Sequence, residues 1–482
     1  MTQGIIVKLG TATAMALALG ASPAAAKAPK PPVDLLPAAQ PSPSAAPDKK
    51  PTAVPSTAPV AVPTIPPLPL PQTGLPAPTE GATPLPLPSA IPQALRPWTR
   101  GDALALLGVI DGIDGDGLIP ADYQPEALRT AMAAGEGAAL DAVATRAFTW
   151  LAEDLRDGRT PMAARLQWFA VDPDQDAMPT ETLLATALDT HDVAGVLAGL
   201  APTNKDYGAL KSALAVTPKA DGRMRALIRA NMDRWRWLAR DLGTIYLITN
   251  VPEYQLRLTV GDKIIRTYRT VVGKPGRTAT PQLAERVEAV VFNPTWTVPQ
   301  SIVVGEGLGA RLAGNPASAL RQGYKVTRNA DGTMTVVQQP GDSNSLGRMK
   351  IDMPNPHAIY LHDTPSKALF NTTNRAYSHG CIRTERAVEL GMTMAILGAD
   401  LKPEQGVAYA NSGRYTRVPM TKTFPVYITY FTMGQDITGR LRSYVDIYDR
   451  DAPVLASFTA PRQLHTDQRS SNEAVIKLDN PL

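Results

Sequence analysis

Two stretches govern how this chain is read: Ile359-Tyr360-Leu361-His362-Asp363-Thr364-Pro365 and Ser378-His379-Gly380-Cys381-Ile382-Arg383. Together they hold the only cysteine of the sequence and two of its five histidines. Thiol catalysis needs a thiolate, a base to generate it and donors for a developing oxyanion. An imidazole serves the first two needs. Gly380 lets the backbone approach a substrate closely. Amides around Gly380 and Cys381 can face a tetrahedral oxyanion, and Arg383 can hold a carboxylate in its planar fork. Spacing leaves the base open. His379 shares a face with Cys381 if the backbone is extended. His362 ends an expected strand, Ile359–His362, and can reach the thiol from a neighbouring strand. A zinc site is disfavoured, because the His–His–Cys spacing fits no common structural pattern and a second cysteine is lacking.

The texture around these stretches is that of a sheet. After Gly243, β-branched and alternating runs predict strands over Ile245–Asn250, Tyr254–Val260, Ile264–Val272, Val287–Phe292, Thr333–Gln338, Val426–Tyr430 and Tyr444–Tyr448. Gly261-Asp262 reads as a hairpin turn. The polar, Gly-rich region from Asn293 to Gly347 reads as a loop or small subdomain inserted into the sheet. Upstream the pattern is helical. Apolar residues recur at three- and four-residue steps from Trp98 to about Leu214, and again over Arg223–Leu242, where Gly243 is the expected stop. Trp235 and Trp237 read as packing anchors between the two regions. Asp111-Gly112-Ile113-Asp114-Gly115-Asp116-Gly117 resembles a calcium loop in composition, but its carboxylates miss the EF-hand register. It reads as a turn with helix-capping aspartates. The expected architecture is therefore α+β.

The remaining segments concern address and reach. Lys8, the uncharged apolar run Leu9–Ala21 and Ala24-Ala25-Ala26 read as a secretory signal peptide over residues 1–26, with an uncleaved N-terminal anchor as the alternative, so the mature protein is expected in an exported compartment. Residues 27–97 hold 22 of the 46 prolines. Proline lacks the amide donor and fixes φ, so this part reads as an extended, disordered tether. A helical domain over 98–242, a catalytic domain over 243–451 and a polar tail over 452–482 complete the expected division.

Composition limits the function classes. With 44% hydrophobic and 19% charged residues, most of the chain can bury a core. A formal net charge of +4 is too small to argue for nucleic acid, and suits mild attraction to an anionic polymer. A lone cysteine in an exported protein is either a reactive thiol or a buried, inert one.

The two stretches resemble the signature of the L,D-transpeptidases, cysteine enzymes that cross-link peptidoglycan. Further similarity lies in Pro340-Gly341-Asp342-Ser343-Asn344-Ser345-Leu346-Gly347 and Arg375-Ala376-Tyr377. The large periplasmic branch of that family is suggested by Asp233-Arg234-Trp235-Arg236-Trp237-Leu238, Phe292-Asn293-Pro294-Thr295-Trp296-Thr297-Val298-Pro299 and Asp446-Ile447-Tyr448. Weaker matches occur at Gly117–Tyr123 and Asp154–Arg159. The resemblance implies Cys381 as nucleophile and His362 as the proton donor and acceptor. It implies that His379 and Ser378 shape and polarise the site, that Gly380 and the Cys381 amide form the oxyanion hole, and that Arg383 grips a diaminopimelate carboxylate. Tyr360, Trp296 and Tyr324 would contact substrate, the last two from a lid over about 293–346. It also implies peptidoglycan stem peptides as partners, possible cell-wall synthesis partners, no nucleic acid and no cofactor or metal. Acceptor choice leaves two enzymatic readings: a transpeptidase making 3→3 cross-links, and an L,D-carboxypeptidase or endopeptidase using water. A catalytically silent wall-binding protein is the third. One departure is that only Pro218–Asp221 precedes the Arg-Trp-Arg-Trp helix, where the branch often carries a peptidoglycan-binding module. Asp363, next to His362, is a candidate for orienting the imidazole.

Overall fold

The computed structural model of the chain describes residues 96–170, 177–261, 263–305 and 307–462. The signal segment over 1–26, the tether up to residue 95 and the tail beyond residue 462 lie outside them. Within the described residues a helical region precedes a mainly-β region, an α+β arrangement.

The helical region comprises α1 (Arg100–Gly112), α2 (Pro125–Ala134), α3 (Ala138–Asp157), α4 (Thr180–Asp189), α5 (Val193–Ala198), α6 (Lys205–Val216) and α7 (Gly222–Arg236). Thr99 caps α1, its hydroxyl accepting from the Asp102 amide. Leu106, Ile110, Leu140, Phe148 and Leu151, at helical spacing, bury one face of α1 and α3 in a shared core with Trp98 and Tyr123. The aspartates of 111–117 cap no helix. Asp111 pairs with Arg129 (2.8 Å), Asp114 with Arg225 (2.9 Å) and Arg229, and Asp116 with Lys211 (2.6 Å). The turn is tied to neighbouring helices by ion pairs instead.

Helix α7 carries few apolar residues yet is buried, because its polar groups are matched one by one. Asp233 accepts from the Arg159 and Thr160 amides (2.8 and 3.0 Å) and the Trp237 indole (3.1 Å). Arg234 donates to Asp451 (2.6 Å) and Thr432 (3.0 Å), and Asn231 accepts from the Thr432 amide (2.9 Å). Buried polar groups without such partners would be costly. The helix stops at Arg236 rather than running to Leu242. Tertiary packing overrides the periodicity there: Trp237 turns edge-on to Trp168 (5.3 Å) under the Arg165 guanidinium (4.9 Å). Trp235 stacks on Phe431 (4.4 Å), so both tryptophans join the helical region to the sheet.

The sheet contains β1 (Ile245–Asn250), β2 (Gln255–Val260), β3 (Lys263–Gly273), β4 (Leu283–Arg286) and β5 (Ala289–Phe292) before the insertion. The insertion holds β6 (Trp296–Thr297), α8 (Gln300–Val303), α9 (Leu308–Gly314), α10 (Pro316–Arg321), β7 (Tyr324–Arg328) and β8 (Met334–Gln338). The sheet resumes with β9 (Met349–Asp352), β10 (Leu361–His362), β11 (Ala376–Ser378) and β12 (Ile382–Thr384). After them come α11 (Ala387–Ala399), α12 (Pro403–Asn411), β13 (Thr416–Pro419), β14 (Pro425–Thr429), β15 (Met433–Gln435), β16 (Leu441–Ser443) and α13 (Asp451–Ser457). The strand order is β13-β5-β9-β10-β12-β3-β2-β1-β14-β4, with β11 pairing β3.

Leu247, Leu256, Leu258, Val290, Ile351, Leu361 and Ile382 point into the main core, where Leu390 and Met394 of α11 meet them. Alternation sends their neighbours to the other face. The insertion is more regular than its composition suggests. Its three strands pair as β6-β8-β7, and Val298, Val303, Leu312 and Val336 form a small core of its own. Buried Asn344 ties its two ends, donating to Pro294 O (3.0 Å) and Gln339 O (2.9 Å) and accepting from the Leu346 amide (2.8 Å). The strand expected over Tyr444–Tyr448 does not form. Asp446 there accepts from the Tyr430 hydroxyl (2.5 Å) and from the Arg450 and Asp451 amides (2.9 and 2.8 Å), which folds the segment into a turn before α13.

Candidate active site

The site lies where β9, β10 and β12 run side by side. His362 on β10 is the register partner of Arg383 on β12, in parallel, and of Lys350 on β9, in antiparallel. Paired residues share a face, so His362, Arg383 and Lys350 project together, while Leu361, Ile382 and Ile351 fill the core behind them. Cys381 stands two residues before Arg383 and so at the same face of the strand's entrance. Its thiol is free and half-buried.

The turn before Cys381 is stapled by Ser378. Its hydroxyl donates to the Cys381 carbonyl (2.6 Å) and accepts from the Gly380 amide (3.1 Å). Gly380 sits at φ +120, and a Cβ there would lie 3.1 Å from Ile359 Cδ1. Only glycine tolerates that conformation cheaply. The turn also breaks the extended geometry that would place His379 beside the thiol, and His379 is exposed. The Gly380 amide is thus engaged within the turn. The Cys381 amide has no hydrogen-bond partner among the described residues.

Sulfur and imidazole are both held neutral. Burial pushes the Cys381 thiol up, and hydrogen bonds from the Tyr360 main chain and hydroxyl, then the Lys350 and Arg383 charges, pull back. The thiol donates to the Ala358 carbonyl (3.6 Å). His362 is 5% exposed. Burial lowers its pKa to about 3, assisted by the Arg383 guanidinium and, less, by the Lys350 and Lys367 ammonium groups, against an opposing contribution from the Asp363 backbone that exceeds either lysine's. Its Nδ1 has no hydrogen-bond partner among the described residues. Asp363 does not orient it. That carboxylate accepts from the Arg348 amide (2.9 Å) and pairs with Lys367. Gly347, at φ +60, admits it, since a Cβ there would sit 2.4 Å from Asp363 Oδ2.

Arg383 is half-buried, and its guanidinium makes no hydrogen bond or ion pair among the described residues. A guanidinium so placed is open to an incoming carboxylate. Tyr360 is buried and edge-on to His362 (5.6 Å between rings). Trp296 packs against the main core and the insertion's own core at once. Tyr324 and Trp296 are both register partners of Gln338 and so flank it. Trp296 of the inserted segment and Cys381 both pack against the main core.

Lys350 went unnoticed in the sequence. It is 7% exposed, its ammonium lies 4.5 Å from the centre of the Tyr360 ring and 3.1 Å from Asp352 Oδ1, and its charge acts on both Cys381 and His362. The signal was a lysine inside Met349-Lys350-Ile351-Asp352, which alternates as a strand.

Residues 244–391 match the family model of the L,D-transpeptidase catalytic domain, and residues 97–214 that of a Scaffold domain. The chain carries an L,D-transpeptidase catalytic domain. A putative L,D-transpeptidase of Haemophilus influenzae is 29% identical over 224 residues, 43% of this chain and 45% of that one. Among solved structures, an L,D-transpeptidase from Mycobacterium smegmatis is 15% identical, over 39% of this chain and 58% of that one, with a TM-score of 0.19. L,D-transpeptidase 3 from Mycobacterium tuberculosis, in complex with a faropenem-derived adduct, is 13% identical over 39% and 60%, with a TM-score of 0.20. The chain spans about half the length of the relatives it matches. In this transpeptidase domain the free thiol, the neutral imidazole and the unpaired guanidinium occupy one face of two adjacent strands.

Proposed function

We propose that the chain is a peptidoglycan L,D-transpeptidase that forms 3→3 cross-links through a Cys381 thioester. The observation that carries this reading is the half-buried, unpaired Arg383 guanidinium on the strand that Cys381 opens. A thiol beside a carboxylate clamp suits an acyl donor carrying its own carboxylate, as a diaminopimelate-containing stem does.

The thiol proton passes to neutral His362 as sulfur attacks the carbonyl after the third residue of a tetrapeptide stem. The Cys381 amide donates to the developing oxyanion. The C–N bond breaks, His362 returns the proton to the leaving amine, and D-alanine departs. A side-chain amine of a second stem then attacks the thioester. An amide forms, the C–S bond breaks, and the proton released by the amine restores the thiol by way of His362. Trp296 and Tyr360 position the sulfur and help exclude water, which favours an amine as acceptor. Residues 1–26 support export to the periplasm, where stem peptides lie.

Incubation of the purified chain with disaccharide-tetrapeptide, followed by mass spectrometry, tests the proposal. A cross-linked dimer is expected. Tripeptide alone means a hydrolase, and unchanged substrate means a silent scaffold; either result overturns the reading.

A further inference from the structure

The turn that carries Gly380 and Cys381 is held from outside by one hydroxyl. Thr280, fully buried, donates to the Gly380 carbonyl (2.8 Å) and accepts from the Gly273 amide (2.9 Å). A threonine hydroxyl has a single proton to give, and here it goes to Gly380. Gly273 ends β3, where it pairs with Ser378 of β11, and the next amide, of Lys274, donates to the Ser378 carbonyl (3.0 Å). A Cβ at Gly273 would lie 2.8 Å from the Thr280 nitrogen, so the return of the chain to Thr280 needs glycine there.

A second hydroxyl closes that return. Tyr448 accepts from the Thr280 amide (3.2 Å) and donates to the Gly273 carbonyl (2.6 Å). Tyr448 is itself fixed. Its ring stacks on Tyr430 (5.5 Å between rings), its amide donates to the Tyr430 hydroxyl (2.7 Å), and the Arg450 guanidinium lies 4.8 Å from its ring centre.

The carbonyl of Gly380 and the N–H of Cys381 belong to one peptide unit. Such a unit is planar and trans, so its C=O and N–H point in opposite directions. Gripping the oxygen therefore aims the hydrogen. A hydrogen bond to the oxygen also polarises the unit and strengthens its N–H as a donor. In this turn the Gly380 N–H is spent on Ser378, whereas the Cys381 N–H has no partner among the described residues. We propose that Thr280 is a positioning residue for acyl transfer, aiming the Cys381 N–H at the oxyanion by way of the Gly380 carbonyl, a role that rests on the thioester reading of Cys381.

Two reactions of the same thiol separate aiming from packing. Faropenem is attacked at a carbonyl: the C–S bond forms, the lactam C–N bond breaks, the thiol proton goes to the ring nitrogen, and negative charge develops on the carbonyl oxygen on the way. Iodoacetamide is attacked at a saturated carbon, iodide leaves with the bonding pair, and no oxyanion forms. Both rates are followed by intact mass on the full chain. Removing an oxyanion donor usually costs about 10²–10³ in rate. Misaiming it in Thr280→Val should slow acylation at least tenfold and leave alkylation within twofold of the parent. Thr280→Ser keeps the hydroxyl and should bring acylation back to within threefold.

Equal slowing of both reactions, unchanged acylation in Thr280→Val, or a serine variant as slow as the valine one overturns the proposal. If Thr280→Val does not fold, Tyr448→Phe decides. It loosens Thr280 from outside the turn and should slow acylation at least threefold with alkylation within twofold; unchanged acylation there overturns the proposal. A parent that takes iodoacetamide but never faropenem removes the thioester reading and this role with it. A parent acylated normally beside an unaffected Thr280→Val removes this role alone.

Discussion

His362 and Arg383 are direct register partners across the parallel β10–β12 pair, so a buried neutral imidazole and an unpaired guanidinium leave the same face of adjacent strands. Burial chiefly keeps the imidazole uncharged, and the fixed cation that the pairing sets beside it opposes protonation further.

Replacing Cys381 by Ala should abolish the mass gain from faropenem while leaving the melting temperature within a few degrees of the parent. His362→Ala should slow that acylation at least 100-fold, in the range that general-base removal typically costs, about 10²–10⁴. His379→Ala should slow it less than tenfold, because that side chain is exposed and turned out by the Gly380 bend. Equal losses for the two histidine variants would refute the choice of base.

The low pKa of His362 has a stability signature. Between about 3 and 6.5 the unfolded chain binds a proton that the native imidazole refuses. Stability from this group therefore rises with pH through that window and is lost as pH falls. The slope is at most about 1.4 kcal/mol per pH unit. Urea midpoints of the parent and His362→Leu, measured from pH 4 to 7, should diverge in their pH slopes, with the variant flatter. Parallel curves would show that the imidazole is not buried neutral.

Lys350 is expected to set thiol reactivity. Its positive charge favours the thiolate, so Lys350→Met should raise the Cys381 pKa further. The iodoacetamide rate at pH 8 should fall about three- to tenfold, an electrostatic effect of ordinary size for a neighbouring charge. Lys350→Arg should restore most of it. A pH–rate profile identical in Lys350→Met would reduce this lysine to a packing role.

Asn344 should govern how firmly the insertion covers the thiol. Removing its amide leaves the Pro294 and Gln339 carbonyls and the Leu346 amide without their partner. Each unsatisfied buried group costs about 1–3 kcal/mol. Asn344→Ala should lower the folding free energy by a few kcal/mol and raise the share of tripeptide over dimer in the stem assay. An unchanged product ratio in a folded variant would separate the insertion's anchoring from acceptor choice.

Local patterns carried much of the architecture. The β-branched run of β1, the hairpin about Gly261 and the helical spacing of Leu106 and Ile110 are short-range signals, and each element formed where its pattern lay. They failed where distant groups compete. α7 stops early because Trp237 packs on Trp168 and Arg165. Tyr444–Tyr448 forms no strand because Asp446 gathers donors from Tyr430, Arg450 and Asp451.

By itself the sequence determined the thiol, its flanking imidazoles and arginine, and the α+β order, because these depend on residue type and on periods of two and 3.6. Only the tertiary structure decided which histidine is enclosed, that Asp363 serves Lys367 and Arg348 instead of the imidazole, and that Lys350 shares a face with His362 and Arg383. Strand register and the return of an inserted segment bring together groups far apart along the chain. Burial and charge, which depend on those neighbours, then fix the protonation state of each.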